Sequence, residues 1–217
     1  MTGIIIGDLM SNNKGKLDKN STPTIVTITT VAIMDWLIGE EKNKTAKEVI
    51  QEWKTKYNVE NEQTPITVYI PIANYAQDFM EFISITTDEE ISNNKTKEAV
   101  GDLIDGVKNG VPKSKILKLF KEGYRDTELD DPLRVFSESR EFWGAVTEAI
   151  KLKGNKAVNA GIVGGLSELN YGLSDSIRKK AFSLIPEEML KVVKKYEMET
   201  KKRNSKEAIA LLRFKQR

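Results

Sequence analysis

The sequence predicts an all-α protein, built as a single-domain helical bundle. Apolar residues recur at helical spacing in most segments between polar connections, whereas segments of strand-like pattern are few. A glycine-rich segment at 157–169 predicts a buried helix that neighbouring helices can approach closely. With 217 residues and 39% hydrophobic composition, one sizeable core is expected. We therefore expect a helical domain at residues 1–198, followed by a basic helix or tail at 199–217.

The composition excludes several kinds of catalytic group and bears on where in the cell the protein is found. The chain has no cysteine and no histidine. This excludes disulfides, thiolate nucleophiles and an imidazole base, so any catalysis would depend on carboxylates, hydroxyls, lysines or arginines. No apolar run approaches the roughly 20 residues that span a bilayer, and the first ten residues lack a signal-peptide pattern. We expect a cytoplasmic protein with no membrane contact.

The first half of the chain contains two ambiguous segments. Residues 2–10 have the pattern of either a short strand or the start of a buried helix. Residues 24–38 are rich in β-branched side chains, but their length favours a buried helix. We expect a further helix at 45–57 and an extended segment at 66–71, because Pro71 disfavours a helical conformation at Ile70. Other helices are predicted at residues 74–85, 96–108, 112–123, 130–136, 139–152, 176–183, 187–196 and 205–214.

The segment from Ala149 to Leu173 combines a tight turn, a small-residue helix and a glycine stop. Gly161, Gly164 and Gly165 predict that another helix crosses this one. Gly172 is expected to end the helix, and residues 173–175 are expected to cap the next one.

This order of turn, glycine-rich helix, Tyr171-Gly172 and short helix, followed by Leu184–Leu190, resembles the C-terminal part of the ADP-ribosylglycohydrolase family. The opening at residues 3–8 and the threonines at 24–27 are similar to two further motifs of that family. The resemblance implies its helical scaffold. It also implies a site at which magnesium ions, held by oxygen ligands, support the removal of ADP-ribose from modified targets.

The chain departs from the family pattern at the residues that carry this chemistry. Where the family's turn has two carboxylates and a hydroxyl, this chain has Asn155, Ala157 and Val158. The family's Thr-Asp-Asp-Thr motif has both carboxylates replaced by aliphatic side chains. The resemblance therefore implies no catalytic residue, no metal and no cofactor. The degenerate site consists of Asp8, Thr24, Ile25, Val26, Thr27, Asn155, Ala157 and Val158.

Charge is unevenly distributed along the chain. Residues 191–217 contain ten basic and three acidic residues, a net charge of +7, and the remaining residues carry −5. Such a basic segment suits a nucleic acid or an acidic partner, although a solvated helix face also accounts for it. The candidate partner-binding residues are Lys113, Lys115, Lys118, Lys121, Lys201, Lys202 and Arg203.

Three functions are compatible with these features. The favoured one is a catalytically inactive ADP-ribosylglycohydrolase-like protein that binds a protein or ribonucleoprotein. Its role would be that of an inhibitor or immunity protein against a bacterial defence or toxin system, encoded by a phage or mobile element. The alternative is an active glycohydrolase with a rearranged site built from carboxylates; these are Asp8, Asp88, Glu89, Asp130 and Asp131. Direct nucleic-acid binding ranks third, because aromatic residues are not interleaved with the basic ones.

Overall fold

A computed structural model describes residues 1–39, 43–87, 96–124 and 127–215, with side chains up to residue 205. These ranges form one compact body of twelve α-helices without a strand, so the all-α prediction is confirmed. A 3₁₀ turn at Ile66–Val68 precedes α4. The helices are α1 Thr2–Ser11, α2 Ile25–Ile38, α3 Ala46–Lys56, α4 Tyr69–Tyr75, α5 Phe79–Thr87, α6 Lys97–Lys108, α7 Lys113–Gly123, α8 Asp130–Glu138, α9 Phe142–Ala149, α10 Lys156–Tyr171, α11 Asp175–Phe182 and α12 Glu187–Lys215.

The core is organised around α1, whose residues from Thr2 to Met10 are all buried. Its glycines face α10 in direct backbone contact. A Cβ added at Gly3 would lie 2.2 Å from the Gly164 carbonyl oxygen, and one added at Gly7 would lie 2.1 Å from that of Ala160. The helix that crosses the glycine-rich segment is therefore α1, which confirms the predicted crossing and identifies residues 2–10 as helical.

The β-branched segment after Thr24 forms α2, as its length predicts. The Thr24 hydroxyl accepts a hydrogen bond from the Val26 amide at 3.3 Å and caps the helix. Inside it, the Thr29 hydroxyl donates to the Ile25 carbonyl at 2.7 Å, so this buried polar group is satisfied. α2 packs against α3, α4 and α12, and this burial outweighs the low helix propensity of its residues.

The extended segment predicted at residues 66–71 is wrong. These residues form the 3₁₀ turn and the first turn of α4, and their side chains are buried. Pro71 fits because first-turn amides have no partner within the helix, so its missing N–H costs nothing there. The helix ends at Tyr75, so the single helix expected at 74–85 is also wrong; α5 starts at Phe79.

The C-terminal segment is one helix where the sequence predicts two. α12 runs through residue 198 without a break. Beyond that residue, Arg203 forms an ion pair with Glu81 on α5 at 2.6 Å, and its guanidinium stacks 4.3 Å from the Tyr75 ring centre. These contacts hold the helix to α4 and α5. In the described ranges, no helix has both the length and the apolar character that a bilayer span requires.

An ion-pair network ties the start of α1 to the last three helices. Glu168 on α10 accepts a hydrogen bond from the Gly3 amide at 2.7 Å and pairs with Arg178 on α11 at 3.2 Å. Arg178 also pairs with Glu197 on α12. Burial alone would raise the pKa of Glu168, but the ammonium of Met1, the Gly3 amide and Arg178 hold that pKa below its ordinary value.

Candidate functional site

Asp8 lies where α1 meets the start of α2, and it is fully buried. Its carboxylate accepts hydrogen bonds from the Thr24 hydroxyl at 2.5 Å and the Thr24 amide at 2.8 Å. It accepts two more from Thr27, from the hydroxyl at 2.5 Å and the amide at 3.1 Å. Because both amides lie at the N-terminus of α2, Asp8 caps that helix from its neighbour.

This arrangement gives Asp8 a structural role. Burial raises the pKa of its carboxyl above the ordinary value, and the hydrogen bonds from Thr24 and Thr27 oppose that rise. Oδ2 accepts three of the four bonds and Oδ1 accepts the fourth. A metal or substrate at this carboxylate would have to displace bonds inside the core, which leaves buried donors unsatisfied.

The aliphatic positions of the degenerate site belong to the core or its edge. Ile25 and Val26 are buried at the start of α2. The Val26 side chain packs against α10 at Gly161, where an added Cβ would lie 3.1 Å from Val26 Cγ1. Ala157 and Val158, in the first turn of α10, are half-buried. These four side chains carry no ligand atom for a metal.

Asn155 retains an oxygen, which is already engaged. Its Oδ1 accepts hydrogen bonds from the Ala157 amide at 3.1 Å and the Val158 amide at 3.2 Å, so Asn155 is the N-cap of α10. In the resemblance to the family, Asn155 occupies the position of a metal-binding carboxylate. In the folded protein its side chain stabilises the helix that follows.

The residues at the family's metal positions do not fit magnesium. A magnesium ion needs several hard oxygen ligands, and a pair of ions needs carboxylates to balance the charge. Here one carboxylate caps α2, one amide oxygen caps α10, and four positions are aliphatic. Across the part of the chain that the structure describes, no three acidic side chains are grouped so that they could hold a metal ion.

An open cleft of about 1090 Å³ lies beside the start of α10. Three segments contribute to its lining: residues 63–66 at the start of the 3₁₀ turn, residues 127–132 around the start of α8, and residues 153–159. Glu128, Asp130 and Asp131 supply carboxylates, and Lys153 supplies one ammonium. The cleft therefore has an acidic rim with amide groups around it.

The cleft brings together residues that sequence reasoning treated separately. Asp130 and Asp131, named for the rearranged enzyme site, share it with Asn155 and Val158. Asp8 is not among the lining residues, and Asp88 and Glu89 lie outside the described residues. Sequence reasoning missed Gln63, Lys153 and Asn159, because Gln63 is distant in the chain from the other two and no local spacing reveals that they converge.

The candidate partner-binding residues fall into two groups. Lys113 is half-buried; its Nζ donates to the Phe136 carbonyl at 3.2 Å and lies 2.5 Å from the Tyr171 hydroxyl oxygen. Arg203 is similarly engaged with Glu81 and Tyr75. The charged groups of Lys113 and Arg203 therefore form contacts within the protein. The exposed members are Lys115, Lys118, Lys121, Lys201 and Lys202.

Comparison of the chain with protein-family models, curated proteins and solved structures found no match. The resemblance to the ADP-ribosylglycohydrolases therefore stays a prediction, based on the motifs in the sequence.

Proposed function

We propose that this protein acts by binding a protein or ribonucleoprotein, on an ADP-ribosylglycohydrolase-like scaffold that no longer supports metal-dependent hydrolysis. The observation that carries the proposal is the closed environment of Asp8. The one acidic residue left at the family's metal positions is buried and caps α2 through four hydrogen bonds. It is therefore unavailable for chemistry.

The distribution of charge supports binding as the activity. Residues 1–190 are acidic overall and residues 191–217 are basic. Two oppositely charged regions can orient an approaching macromolecule and accelerate its encounter with the protein. We propose that the protein is an inhibitor or immunity protein directed at a bacterial defence or toxin system, carried by a phage or mobile element.

The test compares partner capture with hydrolysis. The intact protein is immobilised, and bound proteins and nucleic acids are identified from an extract of bacterial cells that carry such a system. A double variant, Asp130→Asn with Asp131→Asn, should capture the same partner to the same extent. Asp8→Asn is unsuitable here, because loss of the α2 cap would confuse instability with loss of function. Failure of the intact protein to retain any macromolecule would contradict the proposal.

A rearranged glycohydrolase is the second candidate, and the cleft is the observation that favours it. Asp130 and Asp131 line that cleft with Lys153, so carboxylates face a space large enough for a small ligand. Glycoside hydrolysis needs a pair of carboxylates and water. If the intact protein released ADP-ribose from an ADP-ribosylated protein, and the Asp130→Asn, Asp131→Asn variant did not, this second function would replace the first.

A further inference from the structure

One face of α12 presents a basic stripe to solvent. We use the name α12 stripe for Lys194, Met198, Lys201 and Lys202, which are all exposed. Their spacing of three and four residues places them side by side on the helix surface. With Glu197 and Ser205 they line a shallow groove of about 600 Å³, and the Met198 side chain is 52% exposed.

The opposite face of α12 packs against the core. Met189, Val193 and Tyr196 are buried, and the Tyr196 hydroxyl donates to the Pro71 carbonyl at 2.7 Å. Contacts with α2 and α4 hold this face in place. The α12 stripe is therefore the outer surface of a helix whose orientation is already determined by packing.

The acids near the stripe are engaged by neighbours within the protein. Glu197 pairs with Arg178 and accepts a hydrogen bond from the Thr2 hydroxyl at 2.7 Å. Glu199 pairs with Lys202 at 2.7 Å. Neither Lys194 nor Lys201 forms an ion pair with a side chain that the structure describes. Lys194 and Lys201 thus present positive charge that no described acid pairs with, on either side of the exposed Met198 in the sequence.

We infer that the α12 stripe is the docking surface for a partner protein, through an acidic face that includes an apolar contact. The inference rests on the proposed function and specifies the surface and the chemistry of the partner. An acidic partner is repelled by the net charge of residues 1–190 and attracted to residues 191–217, so it is oriented toward α12. The exposed Met198, flexible and polarisable, suits an apolar contact at the centre of such an interface.

A partner protein fits this surface better than a nucleic acid does. Binding to single strands relies on aromatic side chains that stack on bases, and the stripe has none. Lys194 and Lys201 could also neutralise few phosphates of a continuous nucleic-acid backbone, and affinity for such a backbone grows with the number of phosphates neutralised. A protein can place isolated carboxylates against Lys194 and Lys201 and an apolar side chain against Met198.

The test uses two synthetic probes and the full-length protein. The first probe is a fluorescein-labelled helical peptide of about 20 residues, with glutamates on one face and leucines on the other; the second is a labelled DNA duplex of about 20 base pairs. Fluorescence anisotropy at low and at moderate salt measures both affinities. The peptide should bind more tightly than the duplex, and its affinity should fall as salt rises.

Matched variants locate the binding surface. Lys194→Glu with Lys201→Glu should weaken peptide binding at least tenfold, and Met198→Ser should weaken it a few-fold. The control is Lys47→Glu with Lys156→Glu, which makes the same change in net charge at two exposed lysines, one on α3 and one on α10. It should weaken binding less than threefold. Circular dichroism melting checks that each variant remains folded.

Several outcomes would overturn the inference. These are an absence of saturable peptide binding, equal weakening by the control pair, tighter binding of the DNA duplex, or self-association that the stripe variant abolishes. Partner capture by the intact protein, unchanged in the Lys194→Glu, Lys201→Glu variant, would reject the stripe and leave the proposed function standing. Release of ADP-ribose would reject the proposed function itself, whatever the peptide result.

Discussion

The contact between α1 and α10 leads to a sharp prediction for Gly164→Ala. A Cβ at Gly164 would lie 2.1 Å from the Gly3 carbonyl oxygen. That separation is more than about 1 Å shorter than van der Waals contact. The clashing atom belongs to the backbone of a buried helix, so it cannot rotate away as a side chain can. The two helices must move apart or the substituted helix must distort.

The expected magnitude follows from two opposing effects. Alanine stabilises a helix interior by about 0.5–1 kcal/mol relative to glycine, and overpacking costs about 1–3 kcal/mol or more. Since the clash involves two backbones, we expect overpacking to dominate at Gly164. The free energy of unfolding should therefore fall by about 1–3 kcal/mol. For a protein of this size, each kcal/mol lowers the melting temperature by about 2–4 °C.

Gly106→Ala on α6 is the matched control. A Cβ at Gly106 would meet only the Ile116 side chain, at 3.7 Å and 3.8 Å, which is ordinary contact. This variant should gain about 0.5–1 kcal/mol from helix propensity. Gly165→Ala, with Ile4 Cγ1 at 3.0 Å, should lie between the two because a side chain can adjust. Urea denaturation followed at the helical circular dichroism band measures all three. Equal stabilisation by Gly164→Ala and Gly106→Ala would refute the backbone contact between α1 and α10.

Three further predictions concern the buried carboxylates. Asp8→Asn should lower the free energy of unfolding in urea by about 1–3 kcal/mol, because an amide NH₂ cannot accept the bonds that Thr24 and Thr27 donate; unchanged stability would argue against the cap. Glu168 has a lowered folded pKa, so its stabilisation is present above its ordinary pKa and is lost as the pH falls. The melting temperature of Glu168→Gln should therefore vary less than that of wild type between about pH 7 and pH 3. If the melting temperatures of variant and wild type changed in parallel with pH, the prediction would be wrong. Calorimetric titration with magnesium should show no tight stoichiometric site, and the prediction fails if such a site appears and Asp8→Ala removes it.

Local features of the sequence were sufficient for the helical class and for most helix positions. Helical periodicity, threonine and serine caps and glycine stops act over one or two helical turns, so they can be recognised in the sequence without knowledge of the tertiary structure. Gly172 after α10 and Ser174 before α11 are examples. The sequence also limits the chemistry directly, because the aliphatic side chains at Ile25 and Val26 cannot bind a metal wherever they lie.

Tertiary contacts determined the features that sequence reasoning left open or got wrong. Residues 2–10 are helical because Gly3 and Gly7 meet α10, more than 150 positions away in the chain. Residues 66–71 form a 3₁₀ turn and the start of α4 because their burial outweighs the extended conformation that Pro71 favours at Ile70. Lys113 is held by carbonyl and hydroxyl groups of other helices, although its spacing within α7 resembles that of the exposed lysines.

The role of Asp8 depends most strongly on the folded structure. By itself, a carboxylate after Gly7 is compatible with a metal ligand, a catalytic acid or a helix cap. Its role as a cap follows only when α1 places it beside the first amides of α2, where the unsatisfied N–H groups and the helix dipole attract a negative charge. That placement depends on contacts between residues far apart in the chain, and a local sequence pattern does not encode such distances.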